Sequence, residues 1–156
     1  MSESDQVNLD LVVLEDDEQV CQVISEMIKA FYATGEVHSF TSFDRALEFL
    51  VNRQGNLAIF VLDVFLGQRT AFDFLDRVSA YYPMAHEDSV IITGMASDEV
   101  VDQCMAKGVN HLLEKPLRPH ALQLAIKAIG AKYASFAKRL LNDPDFADKV
   151  VKLDGN

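Results

Sequence analysis

The stretch LAIFVLDVFLG, residues 57–67, sets the tightest limit on what this chain folds into. Six apolar residues run without a polar break into one carboxylate, Asp63. A strand that is apolar on both sides has both faces covered, the habit of parallel sheets flanked by helices. An ionised carboxylate is costly to bury without a partner. Asp63 therefore either sits at the strand's mouth by accident or is there to be used.

The rest of the chain alternates in the same way. LDLVVL (9–14) is a short β-branched run ending in the acids EDDE. Val20, Val23, Ile24, Met27, Ile28 and Phe31 then recur at the spacing of an amphipathic helix. GEVHSF is a weaker strand. Ser42 is placed to cap a helix whose buried face is Phe43, Ala46, Leu47 and Leu50, and Gly55-Asn56 ends it. After the central strand comes a loop, FLGQR, with Thr70 as the next cap. Phe72, Leu75 and Val78 mark the next buried face, which ends before Pro83. SVIIT (89–93) is a fourth strand. Ser97 caps a helix that turns Val100, Val101, Cys104 and Met105 inward and stops at Gly108. HLLE (111–114) is a fifth strand, and a last helix begins near Pro119, where proline suits the first turn.

Five β-α repeats of this kind predict an α/β fold: a doubly wound parallel sheet between two helical layers. Ligands of such sheets bind outside the carboxyl ends of the strands. The length of 156 residues fits one domain with a core of its own. A net charge of −10 argues against nucleic-acid binding by this segment and against an anionic membrane. No apolar run approaches the ~18 residues that span a bilayer, and MSESDQ has no signal-peptide pattern, so a cytoplasmic protein is expected. Cys21 and Cys104 lie within apolar helical patterns and read as small core residues. His38, His86, His111 and His120 lack zinc-ligand spacing and read as surface or loop residues.

Strand order brings particular side chains to one edge. The first strand ends in Glu15 and Asp16, the third in Asp63 and the fourth in Thr93, while Lys115 follows the fifth. Crowded carboxylates repel and favour protonation; a divalent cation reverses that balance. A hard cation held by one or two carboxylates beside a phosphate is magnesium chemistry. A carboxylate can also attack phosphorus, giving an aspartyl phosphate. Lys115 would then supply charge and Thr93 a hydroxyl donor.

Four fragments, VVLEDDE, FVLDVFLG, VIITGMAS and LLEKP, in this order and each at a strand end, resemble the receiver domain of two-component response regulators. The resemblance covers roughly residues 10–130. It implies a flavodoxin-like sheet of order 2-1-3-4-5, with Asp63 as phosphoacceptor and Glu15 and Asp16 holding Mg2+ directly or through water. It also implies that Phe65 lends its backbone carbonyl to the metal and that Thr93 and Lys115 bind the phosphoryl group. Lys115–Pro116 is expected to be cis. The implied donor is a sensor histidine kinase or histidine phosphotransfer protein. The chain departs from the family's pattern at Gly67, where proline is usual, at Ala71, where glycine is usual, and at Leu112, where an aromatic is usual. Apolar Phe65 and Met95 beside the site predict slow hydrolysis of the phosphoryl group.

The expected organisation is a tail over 1–7, a receiver domain over 8–130 and a helical extension over 131–156. In the extension Tyr133, Phe136, Ala137, Leu140 and Leu141 keep helical spacing until Asn142-Asp143-Pro144. Gly130 offers a break at which the extension folds back. Two readings stay open: packing on its own domain, or an apolar stripe for a second copy or an output domain. The output is a downstream protein or a domain beyond this segment. Rival functions are a haloacid-dehalogenase-like phosphatase, a flavin-binding module and a phosphorylation-independent interaction domain. The phosphatase wants a second Asp where this chain has Phe65. The flavin module wants a hydroxyl- and glycine-rich loop where this chain has EDDE.

Overall fold

The computed structural model describes residues 9–53 and 55–153, so the expected tail over 1–7 lies outside the described residues. The strands are β1 (Leu11–Leu14), β2 (Val37–Phe40), β3 (Ile59–Asp63), the short pair β4 (Phe65–Leu66) and β5 (Arg69–Thr70), β6 (Ser89–Thr93) and β7 (His111–Glu114). The helices are α1 (Glu18–Lys29), α2 (Phe43–Arg53), α3 (Ala71–Val78), α4 (Asp98–Lys107), α5 (Pro119–Asn142) and α6 (Pro144–Lys152). Five strands form one parallel sheet in the order β2-β1-β3-β6-β7. Counting these five alone, the order is the expected 2-1-3-4-5.

Side chains alternate across each strand, and the alternation divides the core in two. Val12, Leu14, Phe60, Leu62 and Ile91 share a core with α2, α3 and α4 through Phe43, Leu50, Phe74, Leu75 and Val100. Leu11, Val13, Ile59, Val61, Val90 and Ile92 meet α1 and α5 through Ile24, Ile28, Leu122 and Ile126. The central strand β3 is buried on both faces, as its uninterrupted apolar run requires.

The expected caps hold. Ser42 Oγ accepts from Arg45 N–H, and Ser97 Oγ from Val100 N–H. Thr70 and Asp73 form a reciprocal capping box. Gly108 ends α4 in the left-handed region, φ 77°.

Five expectations need correction, the last of them at Gly130. The stretch read as a loop after β3 pairs with itself as the antiparallel hairpin β4–β5, turned at Gly67 with φ 69°. Only two residues pair on each side, too few to show a period. Val23 is 56% exposed, because α1 buries Cys21, Ile24, Ser25 and Ile28 instead. The polar member of that face, Ser25, is satisfied by Ser39 Oγ at 2.7 Å. Met105 points out at 69% exposed, while Val100 and Cys104 face inward. His38 and His111 sit half-buried on β2 and β7, the edge strands of the sheet, rather than on the surface or in loops. Cys21 and Cys104 are buried free thiols, as read.

Gly130 does not break the last helix: α5 passes through it to Asn142. One glycine costs about 1 kcal/mol in a helix, and packing on both sides of it outweighs that. Asp143 then caps α6, accepting from Phe146 N–H at 3.0 Å. Helix α6 folds back on α5, with the Phe136 and Phe146 rings edge to face at 5.4 Å and Arg139 over Phe146 at 4.5 Å. Among the described residues no helix is long and apolar enough to cross a membrane.

Candidate functional site

All five strands of the main sheet run parallel, so their carboxyl ends share one edge. Backbone pairing continues past the strands there. Glu15 N–H donates to Phe40 O at 3.1 Å, and Lys115 N–H to Thr93 O at 2.8 Å. These bonds hold Glu15 and Lys115 in register with the sheet, so both are placed by the scaffold rather than by flexible loops. The Lys115–Pro116 bond is cis, as the resemblance implied.

Three carboxylates gather at this edge. One oxygen from each of Glu15, Asp16 and Asp63 lies within 4.8 Å of the other two. Lys115 Nζ stands 3.5 Å from Asp63 Oδ1 and 3.5 Å from Glu15 Oε2. Glu15 is buried, Asp63 nearly so, and Asp16 exposed. Burial, then the charge and hydrogen bond of Asp63, push the Glu15 carboxyl up to about 7; Lys115 and the Asp17 N–H pull the other way. Asp17 caps α1 through Val20 N–H at 3.1 Å, and the positive end of that helix faces the same edge.

A divalent cation fits these residues. Glu15 Oε2 is buried and has no hydrogen-bond partner. Among the described residues its neighbouring charge of opposite sign is the Lys115 ammonium, at 3.5 Å. An unsatisfied buried carboxylate oxygen is costly, and three hard oxygen donors suit magnesium. A second group of metal-ligand type, Asp10, Glu36 and His38, lies at the opposite edge. There Arg53 is already in place, 2.9 Å from Asp10 Oδ2 and 3.2 Å from Glu36 Oε2.

Thr93 is buried at the end of β6, one residue beyond Ile92, the register partner of Asp63. Its hydroxyl is engaged with the following loop, donating to Met95 O at 2.9 Å and accepting from Met95 N–H at 3.2 Å. Phe65 opens the hairpin two residues after Asp63, with its ring 63% exposed; Met95 is 72% exposed. Arg69 of the hairpin forks onto Asp44 at 2.9 and 3.3 Å and lies over the Phe43 ring at 3.8 Å, which ties the hairpin to α2.

One participant escaped the sequence reading. Glu114 accepts from Ala96 N–H at 3.1 Å and so fixes the loop between β6 and α4. An exposed acid before a lysine carries no signal of that contact; only the register of β6 with β7 places it there.

A doubly wound sheet with acids and a lysine at its carboxyl edge is the flavodoxin-like class. Residues 11–127 match the response regulator receiver domain, and the chain belongs to that family. The heme response regulator HssR of Staphylococcus epidermidis is 22% identical over 125 residues, which are 80% of this chain and 53% of that protein. The chain thus spans about half the length of the curated relatives it matches. A receiver domain protein from Clostridium thermocellum superposes with a TM-score of 0.69 at 21% identity, covering 81% of this chain and 98% of the other. CheY in the CheX–CheY–BeF3–Mg2+ complex from Borrelia burgdorferi gives 0.65 at 14% identity, over 83% and 94%. Receiver domains are signalling switches rather than conventional enzymes, and the phosphatase and flavin readings find no support.

Proposed function

We propose that Asp63 accepts a phosphoryl group from a sensor histidine kinase or a histidine phosphotransfer protein. The observation that carries this is the Lys115 ammonium at 3.5 Å from both Asp63 and Glu15 in a three-carboxylate cluster. Such an array is poorly neutralised by one lysine and is suited to a cation plus an incoming phosphoryl group.

Glu15, Asp16, Asp63 and the Phe65 carbonyl would hold Mg2+; the presence of that ion in the Borrelia CheY complex supports the choice of cation. When bound, the ion neutralises charge on the transferring group. An Asp63 carboxylate oxygen attacks phosphorus, and the bond from phosphorus to the donor's imidazole nitrogen breaks. The imidazole leaves with the electron pair. Lys115 takes a phosphoryl oxygen as its counter-ion. Thr93 leaves Met95 and donates its hydroxyl to another. Hydrolysis is slow because the Phe65 and Met95 side chains crowd the approach of water. This chemistry is self-assisted, with the phosphorylated chain as its product rather than a turned-over substrate.

The receiver domain is assigned to residues 8–130 and the extension to 131–156. Histidine kinases draw on ATP, so the proposed donor favours a cytoplasmic location for the chain. Its output is a downstream protein or a domain outside this segment.

Acetyl phosphate with Mg2+ tests the reading by intact mass. The chain should gain one phosphoryl group, and Asp63→Asn should not. Sustained release of phosphate from a generic ester over many turnovers would sink it in favour of the phosphatase.

A further inference from the structure

Helix α5 outruns the core it serves. Its inward stripe is Leu122, Ile126, Ile129 and Tyr133, at alternating spacings of four and three. The same rhythm continues to Phe136 and Leu140, where the body no longer covers it; these side chains are 41% and 37% exposed. Leu141 is 85% exposed, Val151 of α6 73% and Leu153 82%. Helix α6 buries no residue fully. Helix α6, nine residues long and held to α5 mainly by Phe146 against Phe136 and Arg139, is marginal in water by itself, since helices this short draw their stability from tertiary packing.

The start of this hairpin is nevertheless held firmly. Asp88, at 1% exposed, takes Lys132 Nζ at 2.7 Å and the phenol of Tyr133. The clamp fixes the direction of α5 as it leaves the sheet. It presents apolar side chains to solvent on a positioned scaffold, as a binding surface requires.

Charge selects the occupant. Residues 131–156 carry five Lys and Arg against four Asp, whereas residues 1–130 carry nine Lys and Arg against twenty Asp and Glu. Two bodies of that sign repel. Only the extension, with cations and anions interspersed, lets two copies approach.

We propose that the α5–α6 extension is the surface through which two copies of this chain pair. The two hairpins meet about a two-fold axis as a four-helix arrangement, covering Phe136, Leu140, Leu141, Val151 and Leu153 of each. The inference makes no use of the Asp63 chemistry.

Sedimentation of the full chain across micromolar concentrations tests it. The wild type should form a dimer, and Leu141→Glu and Leu153→Glu, both at exposed positions, should return it to monomer with unchanged circular dichroism. Raising the salt should strengthen the dimer by screening the acidic bodies. Amide exchange over 134–153 should be slower in the wild type than in Leu141→Glu. A wild type that stays monomeric at the highest concentration overturns the proposal. So does a dimer indifferent to Leu141→Glu. A dimer that salt dissociates would mean that a basic extension docks on an acidic body, and overturns it as well.

Discussion

The hydroxyl of Thr93 and the backbone of Met95 hold each other: one hydrogen bond runs each way, at 2.9 and 3.2 Å. Thr93 therefore cannot reach toward Asp63 without releasing the loop that carries Met95. Any ligand that recruits the hydroxyl also frees the start of the β6–α4 connection. Glu114, bonded to Ala96 N–H, is a second tie on that loop.

Thr93→Ala should weaken beryllofluoride binding by roughly tenfold, the worth of one hydrogen bond to a charged group. Thr93→Ser keeps the hydroxyl and should stay within a factor of about three. Calorimetric titration gives both values. Equal affinity for wild type and Thr93→Ala would remove the hydroxyl from the site.

Lys115→Met removes the countercharge shared by Glu15 and Asp63. Lys115 is 32% exposed, so solvent already screens the pair. The expected loss of stability without metal is about 1–2 kcal/mol rather than the several of a fully buried pair. Urea unfolding measures it. Magnesium should recover part of the loss, because it supplies the missing positive charge.

The elevated Glu15 carboxyl, at about 7 in the folded chain against the ordinary 4.5, sets a pH dependence. The folded state binds the extra proton between these values, so stability contributed here is full at low pH. It falls as pH rises from about 4.5 through 7. Magnesium requires the ionised form and should be bound more tightly across the same rise, releasing a proton. The gain in melting temperature with Mg2+ should therefore grow between about pH 5.5 and about pH 8. Glu15→Gln should flatten both trends; a gain that does not change with pH counts against the assignment.

Tyr133→Phe removes the phenol bonded to buried Asp88, which leaves that carboxylate with Lys132 alone. Amide exchange in residues 131–153 should accelerate more than in β3, with a cost of about 1–3 kcal/mol to the extension. Uniform acceleration throughout the molecule would show instead that the clamp serves global stability.

Much of this was legible beforehand, for identifiable reasons. The apolar run before Asp63 could only be a strand covered on both faces, and the caps at Ser42, Thr70 and Ser97 are local chemistry. The gathering of Glu15, Asp16, Asp63, Thr93 and Lys115 at one edge follows from parallel strands ending on those residues. What escaped depends on contacts distant in sequence. Spacing alone puts Val23 and Met105 on the inward stripe, because periodicity fixes a stripe only to about one residue; in α1 the small Cys21 and Ser25 take the place beneath the sheet. The hairpin at Gly67 is too short for a pattern. The bond of Glu114 to Ala96 and the clamp on Asp88 join residues 18 and 45 positions apart, and no local rule pairs them.

The unbroken passage of α5 through Gly130 has a mechanical consequence. Twelve residues of helix beyond that glycine make a rigid arm about 18 Å long, anchored near its base by Asp88. A tilt of roughly ten degrees at the anchor displaces the far end by about 3 Å. The arm is thus a lever: it magnifies small rearrangements at the base of β6 into movements large enough for another molecule to read.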